Sequence, residues 1–503
     1  MDLNNGLLPK IGNRLPRVYL DLSTSLTLFG DMAGGILRTE REIAHRLLAN
    51  PKIDAVPIVI SSGRIFALER TDALLIVGEP SRRALPAAEN HELSARLAPP
   101  NMDEAPAADL VQAPPPIPLP RPMLVRAALR MGVRKAIDAM PEAIREDVRL
   151  ALIHSREAVR KMLRPRHAVP DAALAAPVAP AHLAARDEML LARGAIHDRA
   201  IEIGWPDSSE VLWTCGHYSE IVSLRTIAEA RRRFGFSFVA VCYDLIRCEH
   251  PEWNPNEMTK IAWDCVTADL LDGADRILCI SNYTQSRLLA FATRLGRDAP
   301  DTHVVKLGFD ALPTVSETAL PRQVSGGRFA LNVGSVETRK NIGLLIRIWE
   351  DISAHPGFDL DLILVGRAAE WDETAVSAVE ASPLLGQRIF WFDNCSDEVL
   401  GLLYRRADVL LYPSFTEGWG LPVTEALVVG TPVVASNGGA IPEAALGYAK
   451  LLPPSDQNAW RHAILELAAS PPQRLPPIWP PTWDTTAAAV TTHLIDVAMA
   501  KTT

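Results

Sequence analysis

Two glutamates eight positions apart, Glu417 and Glu425, bracket the stretch Gly418-Trp419-Gly420-Leu421-Pro422-Val423-Thr424, directly after the apolar run DVLLYPS. A strand that runs into a glycine loop and then a helix exposes backbone N–H groups. The partial positive charge of the helix start adds to them, so phosphate oxygens suit the place. Glu425 falls in the first turn of that helix, where a carboxylate can accept two hydrogen bonds from vicinal hydroxyls, as acidic residues do with ribose in dinucleotide folds. A first-turn glutamate also stabilises a helix with no ligand present, and spacing does not separate the two roles. A second stretch, Gly334-Ser335-Val336-Glu337-Thr338-Arg339-Lys340-Asn341, closes another apolar strand and leads into a helix. In an open parallel sheet ligands bind beyond the carboxyl ends of the strands, so Arg339 and Lys340 lie where a diphosphate would be held. A planar guanidinium fork and a compact ammonium suit a leaving group whose negative charge grows as its bond breaks. A solvated basic turn is the competing explanation for this pair. No GxxxxGK[ST] loop is present, which excludes the phosphate chemistry of a P-loop NTPase.

These residues need a strand-and-helix scaffold, and the sequence supplies two. RVYLDLS, a glycine-rich loop (Gly30, Gly34, Gly35), the helical pattern ILRTEREIAHRLL and the strand AVPIVIS open a βαβ series. It breaks off near residue 71 and resumes near Glu210 with EVLWTCG, FSFVAVCYDLI, ADRILCIS and THVVKLG. A second series starts at Phe329 and alternates FALNVGS, IGLLIRIWEDI, DLDLILVG, RIFWFD, SDEVLGLLYRRA, DVLLYPS, TEALVVG and TPVVAS. The fold class is α/β, with two doubly wound Rossmann-like domains. Their expected bounds are 15–75 with 205–315 for the first and 325–475 for the second, while 476–503 is a tail and helix packing back on the first.

Residues 76–204 interrupt the pattern. Leu97–Pro122 holds nine prolines, which suit neither helix nor sheet interiors, so it reads as an extended linker. Residues 121–166, two helical patterns, carry twelve Lys/Arg against five Asp/Glu, a basic island in a chain of net charge −9. Its two readings are a helical hairpin that caps the fold and a surface for anionic lipid headgroups. The 503 residues, 48% apolar and 22% charged, exclude a single small domain and a disordered chain. The acidic balance makes a nucleic-acid partner the wrong default. The six cysteines form no CxxC pair and no zinc spacing, and they read as core thiols of a reducing compartment. The N-terminus lacks the features of a signal peptide, and no apolar run reaches the roughly 18 residues of a membrane span, so the expected place is the cytoplasm or its membrane face. Asp359-Leu-Asp361 has the form of a metal-binding DxD but lies within an apolar strand pattern.

Taken together, FTEGWGLPVTEAL and GSVETRKN closely resemble the retaining GT-B glycosyltransferases of the group-1 (family 4) class, which includes bacterial mannosyl- and glucosyltransferases. YDLIRCEHPEW, ADRILCISNYTQSRL, VVKLGFD and GGILRTEREI add to the resemblance, which spans everything but the insertion. It implies a GT-B enzyme with the site in the interdomain cleft, moving a hexosyl unit from a nucleotide sugar to a glycan or lipid-linked acceptor in polysaccharide or lipopolysaccharide assembly. Mannose from GDP-mannose is the first choice, on the likeness of YDLIRCEHPEW to mannosyltransferases. By the same resemblance Glu425 binds the ribose hydroxyls and Glu417 faces the donor sugar. Arg339 and Lys340 hold the diphosphate, Gly418, Trp419 and Gly420 bring backbone amides to sugar or phosphate, and Gly334 precedes the basic pair. Gly34 and Gly35 approach across the cleft. Asp244 matches the aspartate of a frequent His-Asp step, but Tyr243 stands where many members have histidine, so that histidine's role does not transfer. The class generally needs no metal or other cofactor. The alternatives are a non-catalytic GT-B scaffold and a GT-B enzyme of other activity, such as a sugar epimerase.

Overall fold

The computed structural model describes residues 14–28, 35–78, 193–218, 221–254, 257–298, 301–309 and 327–501, apart from 370, 394, 471, 477 and 479. Gly30, Gly34, the Pro-rich stretch and the basic helical patterns lie outside the described residues.

The first sheet has eight strands in the order β4-β3-β2-β1-β5-β6-β7-β8. In chain order these are β1 Arg17–Asp21, β2 Asp54–Ser61, β3 Arg64–Ala67, β4 Ile201–Ile203, β5 Val211–Thr214, β6 Ser237–Cys242, β7 Arg276–Cys279 and β8 Asp301–Val304. The pairs β1/β2, β1/β5, β5/β6, β6/β7 and β7/β8 are parallel and β3/β4 is antiparallel. Strands covered on both faces read as unbroken apolar runs, and every residue of β5 and β6 is buried. The strand β4 falls inside the stretch assigned to the insertion. With its first two residues exposed and its last half-buried, it carries too little apolar signal to be read from sequence.

The second sheet has six strands, all pairs parallel, in the order β11-β10-β9-β12-β13-β14. They are β9 Arg328–Val333, β10 Leu360–Val365, β11 Ile389–Phe392, β12 Val409–Tyr412, β13 Val433–Ser436 and β14 Lys450–Leu452. Numbered within the domain this is 3-2-1-4-5-6, the Rossmann order, whose switch point falls between β9 and β12. The two motifs singled out in the sequence follow these two strands. The chain thus holds two α/β domains, each on a largely parallel sheet whose strand order reverses once, at β1/β5 in the first and at β9/β12 in the second.

The helix Trp483–Ala500 starts with Thr482, whose hydroxyl accepts from Thr485 N at 3.3 Å, and buries Trp483, Ala487, Val490, Leu494 and Ala498. It belongs to the first domain in space. Asn50 donates to Thr491 Oγ1 at 2.9 Å, Thr486 to the Lys306 carbonyl at 2.9 Å, and Arg46 meets Asp484 at 2.5 Å.

Candidate active site

The basic pair sits on a single turn. Thr338–Lys340 is a 3-10 turn, and Asn341 follows in the left-handed region at φ 56° before the helix Ile342–Ile352 begins. Asparagine tolerates that conformation, and its side-chain amide donates to the Pro413 and Pro454 carbonyls at 3.2 and 2.9 Å. The turn is thereby fastened to the end of β12, and Phe415 N donates to the Arg339 carbonyl at 2.9 Å. Gly334 ends β9 with its N–H on the Val365 carbonyl at 2.9 Å, and the Lys340 stem runs over it.

Glu417 receives both cations. Arg339 Nη1 and Lys340 Nζ each lie 2.7 Å from one of its carboxylate oxygens, and the Tyr412 hydroxyl donates to Oε1 at 3.0 Å. Arg339 also reaches Glu337 at 2.6 Å and the Thr416 carbonyl at 3.1 Å. Burial alone would raise the Glu417 carboxyl, but the charges of Arg339 and Lys340 overrule it and lower it to about 2. The same carboxylates raise Arg339 against its own desolvation. Glu417 and Arg339 stay charged across the physiological range.

Glycines hold this loop in place. A Cβ on Gly439, which has φ 60°, would stand 2.5 Å from the N and O of Glu417, and Ala440 N donates to the Glu417 carbonyl at 2.9 Å. Gly418 touches the first domain: a Cβ there would meet the Tyr243 carbonyl oxygen at 2.2 Å and Asp244 Cβ at 3.0 Å. Thr284 Oγ1 bridges the contact, donating toward the Tyr243 carbonyl at 3.1 Å and the Gly418 carbonyl at 3.4 Å. Gly420, at φ 112°, turns the chain into the helix Leu421–Val428. Trp419 is a core side chain, 3% exposed, so of the three loop residues it offers a ligand its backbone alone. Gly35 opens the helix Gly35–Leu48, and a Cβ there would reach Leu421 Cδ1 at 3.9 Å. That is ordinary contact across the cleft.

Asp244 is exposed where β6 ends, and its Oδ1 accepts from Ile246 N at 3.0 Å. Its field acts on Arg339, so it shares the site with the basic pair. The Tyr243 hydroxyl points elsewhere, donating to the Cys215 carbonyl at 2.6 Å. Glu425 is buried and is the fifth residue of the helix Leu421–Val428, past the first turn that its spacing predicts, because the helix begins at Leu421, directly after Gly420. Its Oε2 accepts from the Tyr404 hydroxyl at 2.7 Å, and its Oε1 from Arg38 Nη1 of the first domain at 2.8 Å. Nη2 of the same guanidinium lies 2.8 Å from Asp397.

The structure therefore gathers Arg339, Lys340, Glu417 and Asp244 at one centre, with Gly418 against it and Glu425 at the far end of the glycine loop. Sequence reasoning missed Arg38, Asp397, Glu337, Tyr404 and Tyr412, and also the Gly438–Gly439 cradle, whose dipeptide was the one visible signal. It also missed a buried polar cluster at the first sheet's own switch point, between β1 and β5. There Asp21 accepts from Ser23 at 2.5 Å and from Thr214 at 2.8 Å, and Glu40 accepts from Ser25 N at 2.7 Å, all fully or almost fully buried. Burial, with Asp21 adding to it, pushes the Glu40 carboxyl up to about 8.

Asp359 and Asp361 lie at the opposite end of β10 from the site and pair with Arg328 at 2.8 Å and Arg388 at 2.9 Å. Among the described residues no three His, Cys, Asp or Glu gather as metal ligands, no helix is long and apolar enough to cross a membrane, and the six cysteines are free.

Residues 321–476 match the family model described as glycosyl transferases group 1. The O-antigen chain mannosyltransferase B of Escherichia coli is 29% identical over 232 residues, which cover 45% of this chain and 60% of that one. A serotype-specific mannosyltransferase, WbdA, of the same organism is 27% identical over 232 residues, covering 42% of this chain and 27% of that one. The chain thus matches less than two thirds of the length of these relatives. Among solved structures, sucrose-phosphate synthase from Thermosynechococcus elongatus aligns with a TM-score of 0.41 and 22% identity over 62% of this chain and 75% of that one.

Proposed function

We propose that this chain, whose residues 321–476 are a group 1 glycosyltransferase domain, transfers a hexosyl unit from a nucleotide sugar to a glycan acceptor in polysaccharide or lipopolysaccharide assembly. The observation that carries the reading is the pair of cations on Glu417 at the switch point between β9 and β12, where the Rossmann order places a ligand. The O-antigen mannosyltransferase relatives support a mannosyl donor, and GDP-mannose is the first donor to test.

In this reading the donor diphosphate lies over Arg339 and Lys340, and the ribose diol donates to Glu425. Glu417, ionised and held between the cations, faces the sugar hydroxyls. The bond from the anomeric carbon to the diphosphate breaks, and an acceptor oxygen bonds to that carbon on the same face, giving retention. The acceptor's proton passes to the departing diphosphate, whose growing charge Arg339, Lys340 and the loop amides stabilise. Two fixed positive side chains provide the charge, and no metal is required. The N-terminal domain selects the acceptor, and the basic stretch 121–166 holds the protein at the cytoplasmic face of an anionic membrane.

Thermal stabilisation by a panel of GDP-mannose, UDP-glucose, UDP-N-acetylglucosamine and UDP-galactose tests the donor site, since a ligand that binds the folded state raises its apparent stability. One donor is expected to stabilise the wild type and not Glu425→Ala; no response to any donor refutes the reading. Lys340→Ala and Glu425→Ala are each expected to lower turnover by at least about two orders of magnitude, the scale of losing a preorganised electrostatic contact. Nucleotide release that needs an acceptor separates a transferase from an epimerase, which needs none, and from a scaffold, which releases nothing.

A further inference from the structure

Glu425 already holds a donor on each of its oxygens, the Tyr404 hydroxyl on Oε2 and Arg38 Nη1 on Oε1, at 2.7 and 2.8 Å. The guanidinium comes from the helix Gly35–Leu48 of the other domain, 387 positions away in sequence, and is itself largely covered, its side chain 16% exposed. Its second branch rests on Asp397 at 2.8 Å, in the first turn of the helix Asp397–Arg406. The guanidinium adds the attraction of a full positive charge to its hydrogen bond on the carboxylate, which a neutral ribose hydroxyl does not. A ribose hydroxyl that binds Glu425 Oε1 must therefore displace or share with a stronger donor. The rest of the site is closed on itself in the same way, with Arg339 and Lys340 on Glu417.

We infer that Arg38 is a determinant of nucleotide affinity supplied by the N-terminal domain: it competes with the ribose hydroxyls for Glu425 and yields by pivoting on Asp397. The inference rests on the donor-site reading above. Asp397 makes the exchange feasible, because the guanidinium keeps one charged partner when it leaves the other and is never stranded as a buried unpaired cation. The competition is selective for chemistry, since only a ligand with hydroxyls at that position replaces what Arg38 gives up.

The test is calorimetric binding of GDP and UDP to the full chain. Arg38→Met keeps the length of the stem and removes the charge, and it is expected to bind the preferred nucleotide about five- to tenfold more tightly than the wild type. A structural role alone would give equal or weaker binding. The gain is expected to disappear with the dideoxy nucleotide that lacks both ribose hydroxyls. It is also expected to disappear in Arg38→Met combined with Glu425→Ala, because Arg38 acts only through Glu425. Arg38→Lys, which reaches one carboxylate at a time, is expected to bind two- to threefold more tightly and serves if the methionine variant does not fold. Wild-type binding with equal or weaker binding in these variants overturns the role of Arg38 and leaves the donor site standing. Binding of neither nucleotide to any variant overturns both.

Discussion

Two buried glutamates show how opposite environments set opposite charge states. Glu417 sits between two cations and is lowered to about 2, below the ordinary 4.5. A carboxyl lowered in the folded state contributes stability that is present above pH ~4.5 and lost as pH falls toward about 2. Glu40, in the β1/β5 cluster, is raised to about 8 by burial, with the charge of Asp21 adding to it. The sign reverses: the folded chain holds a proton that the unfolded chain has released, so stability falls as pH rises from ~4.5 toward about 8. Glu40→Gln keeps an oxygen for Ser25 N and carries no charge, so it is expected to flatten that fall. Urea unfolding at pH 5.5 and pH 8 checks it, with the variant gaining on the wild type only at the higher pH. An equal difference at both values refutes it. At this scale the sequence showed the residues that lie within one loop, because their spacing is their geometry. It did not show Arg38 or Tyr404, since nothing local to Glu425 specifies what a helix 387 positions away brings to it. Glu40 and Arg41 did leave a trace, as charges on the buried side of an otherwise amphipathic helix.

Strands and helices decide how closely the two motifs approach. The strands β1, β2, β5 to β7 and β9 to β13 were legible as apolar runs, because parallel strands under two layers of helix bury both faces, and β8 as the run THVVKLG. β3, β4 and β14 were not, being three or four residues long at or near sheet edges. The loop between β12 and the helix Leu421–Val428 carries Glu417, and it meets the other domain at Gly418 as well as through Phe415 on Trp253 and Thr416 on Tyr283. Alanine in place of Gly418 would put a Cβ 2.2 Å from the Tyr243 carbonyl oxygen, a backbone atom that cannot swing aside. Gly418→Ala is expected to displace the loop and the Glu417 carboxylate with it, lowering turnover more than tenfold. The melting temperature should change little, because overpacking at one surface of a cleft costs about 1–3 kcal/mol in a large domain. A variant with wild-type turnover would show that the close approach is dispensable. Asn341 is the second such element. The sequence shows it as the end of a basic motif, whereas the structure uses it to fasten the turn to the end of β12.

At the scale of the whole molecule, the last helix completes the first domain. Trp483–Ala500 covers the first sheet with Trp483, Ala487, Val490, Leu494 and Ala498. Burying a large apolar side chain contributes about 1.5–3 kcal/mol. Several of them together rival the ~5–15 kcal/mol by which a domain is stable. A chain ending at residue 482 is therefore expected to be insoluble or to lose the cooperative melting of its first domain, and recovery of soluble, nucleotide-binding protein would refute it. The basic stretch 121–166 makes a separable prediction, because its charge opposes that of the chain as a whole. Clustered Lys and Arg gain about 1 kcal/mol each near an anionic surface, and that gain is screened by salt. Deleting residues 97–166 is expected to abolish sedimentation with phosphatidylglycerol vesicles at low salt. Donor-induced thermal stabilisation should survive, since Arg339, Lys340, Glu417 and Glu425 all lie beyond the deletion. Wild-type binding to the vesicles should itself fade between 50 and 500 mM salt, and neutral vesicles should capture neither form. Undiminished sedimentation of the deleted chain would place the membrane contact elsewhere. Loss of donor stabilisation on deletion would make the segment part of the fold, a cap on the N-terminal domain in place of an anchor.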